Sequence, residues 1–275
     1  MKRRAWIWWL LPLTLYSEQA LAWGLATHLY FAQLLVWAVP LADSRLRRAV
    51  RRLPRLLLAG ACLPDLTLVA GRLTGFATSH EWRFAWRLME KAASDEERAL
   101  AVGYASHLFV DVLAHNHFVP AHEALWLKVP VLTHAVAEWV MDAHVACQLF
   151  AYPQVILDAE AARIVPFVAR HFACSSAEAA RGVKRLSQAS GLLYGSRLHR
   201  LLGLGARALD RCLARRCDHY VAEITARLPE INRLLAGEAP NWRADLPCPV
   251  RTAHLAGLGY ERLRGPLPLP KSLFG

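Results

Sequence analysis

Residues 103–111 read Gly103-Tyr104-Ala105-Ser106-His107-Leu108-Phe109-Val110-Asp111, a histidine and an aspartate four positions apart in an otherwise apolar run. Positions four apart share one face of a helix, and a helix this apolar has to be buried. An unpaired buried aspartate carries a desolvation cost that a facing cation or metal ion offsets. The fold must therefore bring more polar groups to this face. His115 continues the same spacing one step further, and His134 with Glu138 repeats it on the next candidate helix. Asp142 extends that second stripe and His144 lies just off it. Two antiparallel helices that face each other with histidine and carboxylate stripes are how helical bundles build multi-metal sites. Imidazole with carboxylate suits zinc, with iron or manganese as alternatives.

The rest of the chain is helical in pattern. Apolar residues recur at three- and four-residue spacing over 29–38 and 46–58, and Pro54 should kink or divide the second segment. A helix is expected over 83–93, and Asp95-Glu96-Glu97 opens another that runs on through 101–114. Further helices are expected over 135–150, 176–190, 196–215 and 220–235, the last broken at Pro229. No stretch alternates with the period of two that an antiparallel sheet needs. Loops are expected at Pro40, at Leu63-Pro64-Asp65, over 71–79 and over 120–130, and the proline-rich tail from Gly237 should be mostly irregular. The expected fold class is all-α, one multi-helix domain over residues 23–275.

Lys2, Arg3 and Arg4, an apolar stretch over 5–16 and Ala20-Leu21-Ala22 have the layout of a secretory signal peptide with cleavage after Ala22. The apolar run is short for a membrane span, which needs roughly 20 residues. The expected location is exported, periplasmic or secreted, with a mature chain beginning at Trp23. In an oxidising compartment some of Cys62, Cys147, Cys174, Cys212, Cys217 and Cys248 can pair, in combinations the sequence leaves open. The net charge of +11 suggests an anionic partner, either nucleic acid or a phospholipid surface. Arg181, Lys184, Arg185, Arg197, Arg200, Arg207, Arg211, Arg215 and Arg216 form a basic helical region that serves as a solvated face or as a peripheral contact with anionic lipid. With 55% hydrophobic residues the chain is not a disordered one.

Four pieces of sequence resemble the zinc-dependent phospholipase C family, whose helical fold is shared with single-strand nucleases. They are Trp23-Gly24-Leu25-Ala26-Thr27-His28; Ala59-Gly60-Ala61-Cys62-Leu63-Pro64-Asp65 followed by Ser79-His80-Glu81-Trp82; His107 and Asp111 with His115 or His117; and His134 with Glu138. They occur in the family's order and cover roughly residues 23–142. The resemblance implies up to three zinc ions. Trp23, through its free amino group and carbonyl, and His28 would hold one, bridged by Asp111. His80, His107 and Asp111 would hold the second, with Asp65 as a further ligand or as the general base. His115 or His117, with His134 and Glu138, would hold the third. Family spacing from the bridging aspartate points to His117. Here no proline intervenes, and an unbroken helix favours His115 and turns His117 away by roughly two-thirds of a turn.

The implied chemistry is phosphodiester hydrolysis by zinc-activated hydroxide. A phospholipase C-like enzyme acting on a phospholipid is the first expectation. A single-strand nuclease or nucleotidase is the alternative, with Trp82, Trp86 and Trp126 as candidate stacking platforms; against it, Glu138 stands where such nucleases carry aspartate. A non-catalytic exported zinc-binding protein is the third reading. Nucleic acid is the less favoured partner, and no protein partner is expected.

Overall fold

The computed structural model describes residues 24–70, 76, 78–126, 130–244 and 249–275. Trp23, Cys248 and the expected signal peptide lie outside them. Among the described residues there is no strand, and the fold is all-α. No described helix is long and apolar enough to cross a membrane.

The chain begins with α1 (Leu25–Trp37), which is apolar nearly all round and correspondingly buried. Helix α2 (Ser44–Arg52) starts where the Asp43 carboxylate accepts from the N–H groups of Arg45 and Leu46, and buries only Leu46, Ala49 and Val50. Pro54 then divides the segment as expected and occupies the first turn of α3 (Pro54–Gly60). A tight turn through Asp65 leads to the short α4 (Leu66–Ala70). After His80 come α5 (Trp82–Lys91) and the central helix α6 (Asp95–Leu113), capped by Ser94 and opened by three acidic residues.

Helix α6 is buried without interruption from Ala99 to Leu113 and packs against α1, α2, α3 and α5. Each fully buried Leu, Val or Phe there contributes about 2 kcal/mol, which helps to offset the cost of holding His107 and Asp111 inside. The approach to α3 is unusually close. A Cβ on Gly103 would lie 2.0 Å from the Leu57 carbonyl oxygen, and one on Gly60 would lie 2.1 Å from that of Leu100. Only glycine permits that crossing.

Helix α6 widens into a π-helical turn over Ala114–Phe118, followed by α7 (Val119–Leu125) and α8 (Pro130–Val145). The remaining helices are α9 (Pro153–His171), α10 (Ser176–Gly195), α11 (Leu198–Leu209), α12 (Leu213–Arg227), α13 (Ile231–Leu235), α14 (Pro249–Ala256) and α15 (Tyr260–Arg264). One apolar core extends from Leu25 to Phe274.

Three local expectations need correction. Residues 120–130 are not simply a loop, because Pro120 sits in the first turn of α7, directly after the π-turn. A proline in the first turn also hid α9, which starts at Pro153. The helix expected over 196–215 is two, separated where Asp210 accepts from the Cys212 N–H. The described part of the tail is mostly irregular, as expected, with two short helices, α14 and α15. Within the basic region, Arg216 is not on the surface: it is 1% exposed, and its guanidinium pairs with Asp210 at 2.5 Å. The five described cysteines are unpaired among the described residues.

Candidate metal centre

Five segments deliver the candidate ligands to one buried region. Helix α1 brings His28, the turn after α3 brings Asp65, and the segment before α5 brings His80. Helix α6 and its π-turn bring His107, Asp111 and His115, and α8 brings His134 and Glu138. These residues form three groups, His28 with His107 and Asp111, Asp65 with His80 and His107, and His115 with His134 and Glu138. Within each group the ligand atoms lie within 4.8 Å of one another.

Asp111 is fully buried and sits at the junction. Its Oδ1 is 3.2 Å from His28 Nε2, and its Oδ2 is 3.0 Å from His107 Nε2 and 3.6 Å from His80 Nε2. The His28 and His107 rings stack at 3.5 Å. Asp65 Oδ1 faces His107 Nε2 at 3.7 Å and His80 Nε2 at 3.8 Å. In the third group His134 Nε2 is 2.9 Å from Glu138 Oε1, and the His115 and His134 rings are 5.5 Å apart.

The outer nitrogens of His107, His115 and His80 are held by the fold, whereas His28 Nδ1 has no hydrogen-bond partner among the described residues. His107 Nδ1 lies 2.8 Å from the Ala61 carbonyl, a contact made possible by the glycine crossing of α3 and α6. His115 Nδ1 meets the Ala244 carbonyl at 2.7 Å, and His80 Nδ1 meets Ser79 Oγ at 3.0 Å. A carbonyl accepting from Nδ1–H leaves Nε2 as a bare lone pair, the arrangement that metal-binding histidines use. The Nε2 atoms of His28, His80, His107 and His115, both oxygens of Asp111, Asp65 Oδ1 and Glu138 Oε1 are all buried without a hydrogen bond among the described residues. Buried polar atoms are seldom left so, and these converge. The donor set of imidazole and carboxylate fits zinc.

Electrostatics follow from burial. Burial pushes the Asp65 carboxyl up to about 8 against the pull of His107. It pushes His80 down to about 3 and His115 down to about 4. Burial opposes ionisation of Asp111 too, yet the facing imidazoles of His107, His28 and His115 outweigh it and hold that carboxyl well below the usual range. For His134, burial is outweighed by the carboxylates of Glu138 and Glu123, which raise it.

His117 is not brought to the third group. Its Nδ1 accepts from Arg251 Nε at 3.1 Å and its ring packs edge-on against Trp242. Between the two histidines, Asn116 Nδ2 donates to the Val112 and Arg243 carbonyls. Asp142, which the sequence placed on the ligand stripe, instead holds the start of α1: its Oδ1 accepts from Thr27 N at 2.8 Å and Thr27 Oγ1 at 2.7 Å, and Tyr194 donates to its Oδ2. A Cβ on Gly24 would strike that carboxylate at 1.9 Å. Nothing local in the sequence signals this contact, because Thr27 and Asp142 are 115 residues apart. His144 lies outside the groups, between Asp218 and Arg207.

A cavity of about 600 Å³ opens at His80 and is lined also by Glu81, Trp82, Arg83, Trp86, Ala239, Arg243 and Ala244. Trp82 and Trp86 therefore stand at the site. Trp126 lines a separate apolar groove of about 620 Å³ beside α11, its indole N–H donating to Asp210.

A family model described as zinc dependent phospholipase C matches residues 27–176, a span that contains every candidate ligand except Trp23. No curated protein and no solved structure gives a match.

Proposed function

Because the chain belongs to the zinc-dependent phospholipase C family, a family of zinc phosphodiesterases, we propose that it cleaves a phospholipid to diacylglycerol and a phosphorylated head group. The observation that carries this reading is the convergence of Asp65, His80, His107 and Asp111, whose inward-facing atoms are buried and unsatisfied. We assign His28 and Asp111 to one ion, with Trp23 as a further ligand; His80, His107 and Asp111 to a second, with Asp65 beside it as the general base; and His115, His134 and Glu138 to a third.

When bound, zinc supplies Lewis-acid charge that favours deprotonation of water near neutral pH and stabilises developing charge on phosphate oxygens. The chain supplies the rest. The carbonyls of Ala61 and Ala244 fix the rings of His107 and His115, so that their Nε2 atoms need no reorientation. Asp111 presents one oxygen to each side and ties two groups together. Asp65 Oδ1 is the carboxylate atom free to take the proton of an attacking water. A neighbouring dication reverses the effect of burial on Asp65 and holds it ionised for that role. Export with cleavage after Ala22 belongs to the same reading, since it would free the amino group of Trp23 directly before the α1 start that Asp142 anchors.

A second reading, a single-strand nuclease, is supported by Trp82 and Trp86 lining the cavity at His80. The test starts with zinc per chain in exported protein never exposed to chelator, by elemental mass spectrometry, followed by parallel digestion of short-chain phospholipids and single-stranded DNA. About three zincs and lipid cleavage are expected. A value near zero sinks both enzymatic readings, and cleavage of DNA alone selects the nuclease.

A further inference from the structure

The cavity at His80 touches the second ligand group directly, because His80 Nε2 is 3.6 Å from Asp111 Oδ2. Its far wall reaches the third group through Ala244, whose carbonyl holds His115. A phosphodiester whose phosphate sat among these groups would find room here for one of its two substituents. The charged residues that line it are Arg83, Arg243 and Glu81. Arg83 is exposed and makes no ion pair among the described residues. Helix α5 also begins in this wall, and the N–H groups of Trp82 and Arg83 have no acceptor among the described residues. Free N–H groups at a helix start and guanidinium forks both recognise phosphate and carboxylate. A quaternary ammonium would find tryptophan faces and one carboxylate here, but it would lie beside two like charges.

Resting on the phospholipid reading above, we propose that this cavity seats the head group, and that Arg83 and Arg243 select head groups carrying a second anionic group, phosphate or carboxylate, over neutral or cationic ones. Nothing in the ligand set requires this preference, since the ligand groups act on the scissile phosphate alone.

The test uses zinc-loaded, exported full chain and three dihexanoyl lipids, phosphatidylinositol 4-phosphate, phosphatidylinositol and phosphatidylcholine. The first two differ only in one phosphate. Expected is a kcat/KM for the 4-phosphate roughly tenfold or more above phosphatidylinositol, with the choline lipid lowest. In Arg83→Gln/Arg243→Gln that ratio should collapse toward one. Both positions are exposed, so the variant keeps its fold. A ratio near one in the unaltered protein, a preference for choline, or a ratio that survives in the double variant overturns the assignment. Titration calorimetry with inositol 1,4-bisphosphate and phosphocholine provides a readout without turnover. Tighter bisphosphate binding, lost in the double variant, supports the cavity assignment even if no lipid is cleaved, in which case the phospholipase reading fails alone. Equal binding overturns it. Cleavage of a single-stranded oligonucleotide and of none of the lipids assigns the arginines to a nucleic-acid phosphate and overturns the head-group proposal.

Discussion

Asp65 faces two imidazole nitrogens, with no hydrogen bond to its Oδ1. In the metal-free protein its folded pKa of about 8 stands above the ordinary 3.8, so the native state keeps a proton that the unfolded chain releases. Stability is lost across that window as pH rises. Asp65→Asn removes the loss, and the chelated variant should melt higher than the chelated parent at about pH 8.5. With zinc restored, the same variant should turn over roughly 10²–10⁴-fold more slowly. A lower melting point without metal would contradict the first part, and an unchanged kcat the second. The histidines act in the opposite sense. His80, His115, His117 and His122 are pushed down to about 3, 4, 3 and 3, chiefly by burial. Their folded pKa values are depressed, so the unfolded state takes up protons first as pH falls below about 6.5. They outnumber the three carboxyls raised by burial, Asp65, Glu138 and Asp142. Urea midpoints of chelated protein should fall between about pH 7 and pH 5; a flat profile would count against buried neutral histidines. The two adjacent candidates also separate: His115→Ala should cost about one zinc per chain, and His117→Ala should not.

At the scale of elements, the site depends on how closely helices approach. Gly60→Ala or Gly103→Ala would drive α3 and α6 apart, because the added methyl meets backbone rather than a movable side chain. Each should cost about 3 kcal/mol and loosen the Ala61 carbonyl from His107, seen as a lower melting point together with weaker zinc retention. If the melting point fell with zinc retention intact, the crossing would matter to stability alone. Asp142→Ala should release the α1 start from α8 and weaken zinc binding at the His28 group more than at the third group. The helix-period spacings were legible in the chain, as was the all-α class. The His107–Asp111 pair and the His134–Glu138 pair meet at 3.0 and 2.9 Å because i,i+4 contacts are local and need no knowledge of tertiary structure. Helices α7 and α9, each with a proline in the first turn, were missed because proline reads as a breaker unless that position is known.

For the whole molecule, zinc held by the candidate groups would be coupled to the fold. The orphaned atoms of the three groups lie on α1, the turn after α3, the segment before α5, α6 with its π-turn, and α8, so bound zinc would tie together elements distant in sequence. Anything that binds the native state alone stabilises it by mass action, about 2.7 kcal/mol for a site at a hundredfold excess over its Kd. Chelation should lower the melting temperature by about 5–10 °C at pH 7, reversibly on adding zinc; no change on chelation would mean that the groups hold no structural metal. The basic region shows why charge alone decides little. Arg216 is buried against Asp210, Arg207 donates to His144 and Arg200 to Tyr152, whereas Arg83 and Arg243 line the cavity beside the ligand groups.

The sequence by itself determined the helical class, the residue types of the candidate ligand set and their local pairing, because helical periodicity and i,i+4 spacing are short-range properties. Tertiary structure decided which of His115 and His117 joins the third group, that Asp142 anchors α1, and that two arginines line the cavity at His80. Each of these depends on how the π-turn, the glycine crossing and the returning segment through Ala244 place atoms more than a hundred residues apart, and no local pattern encodes such distances.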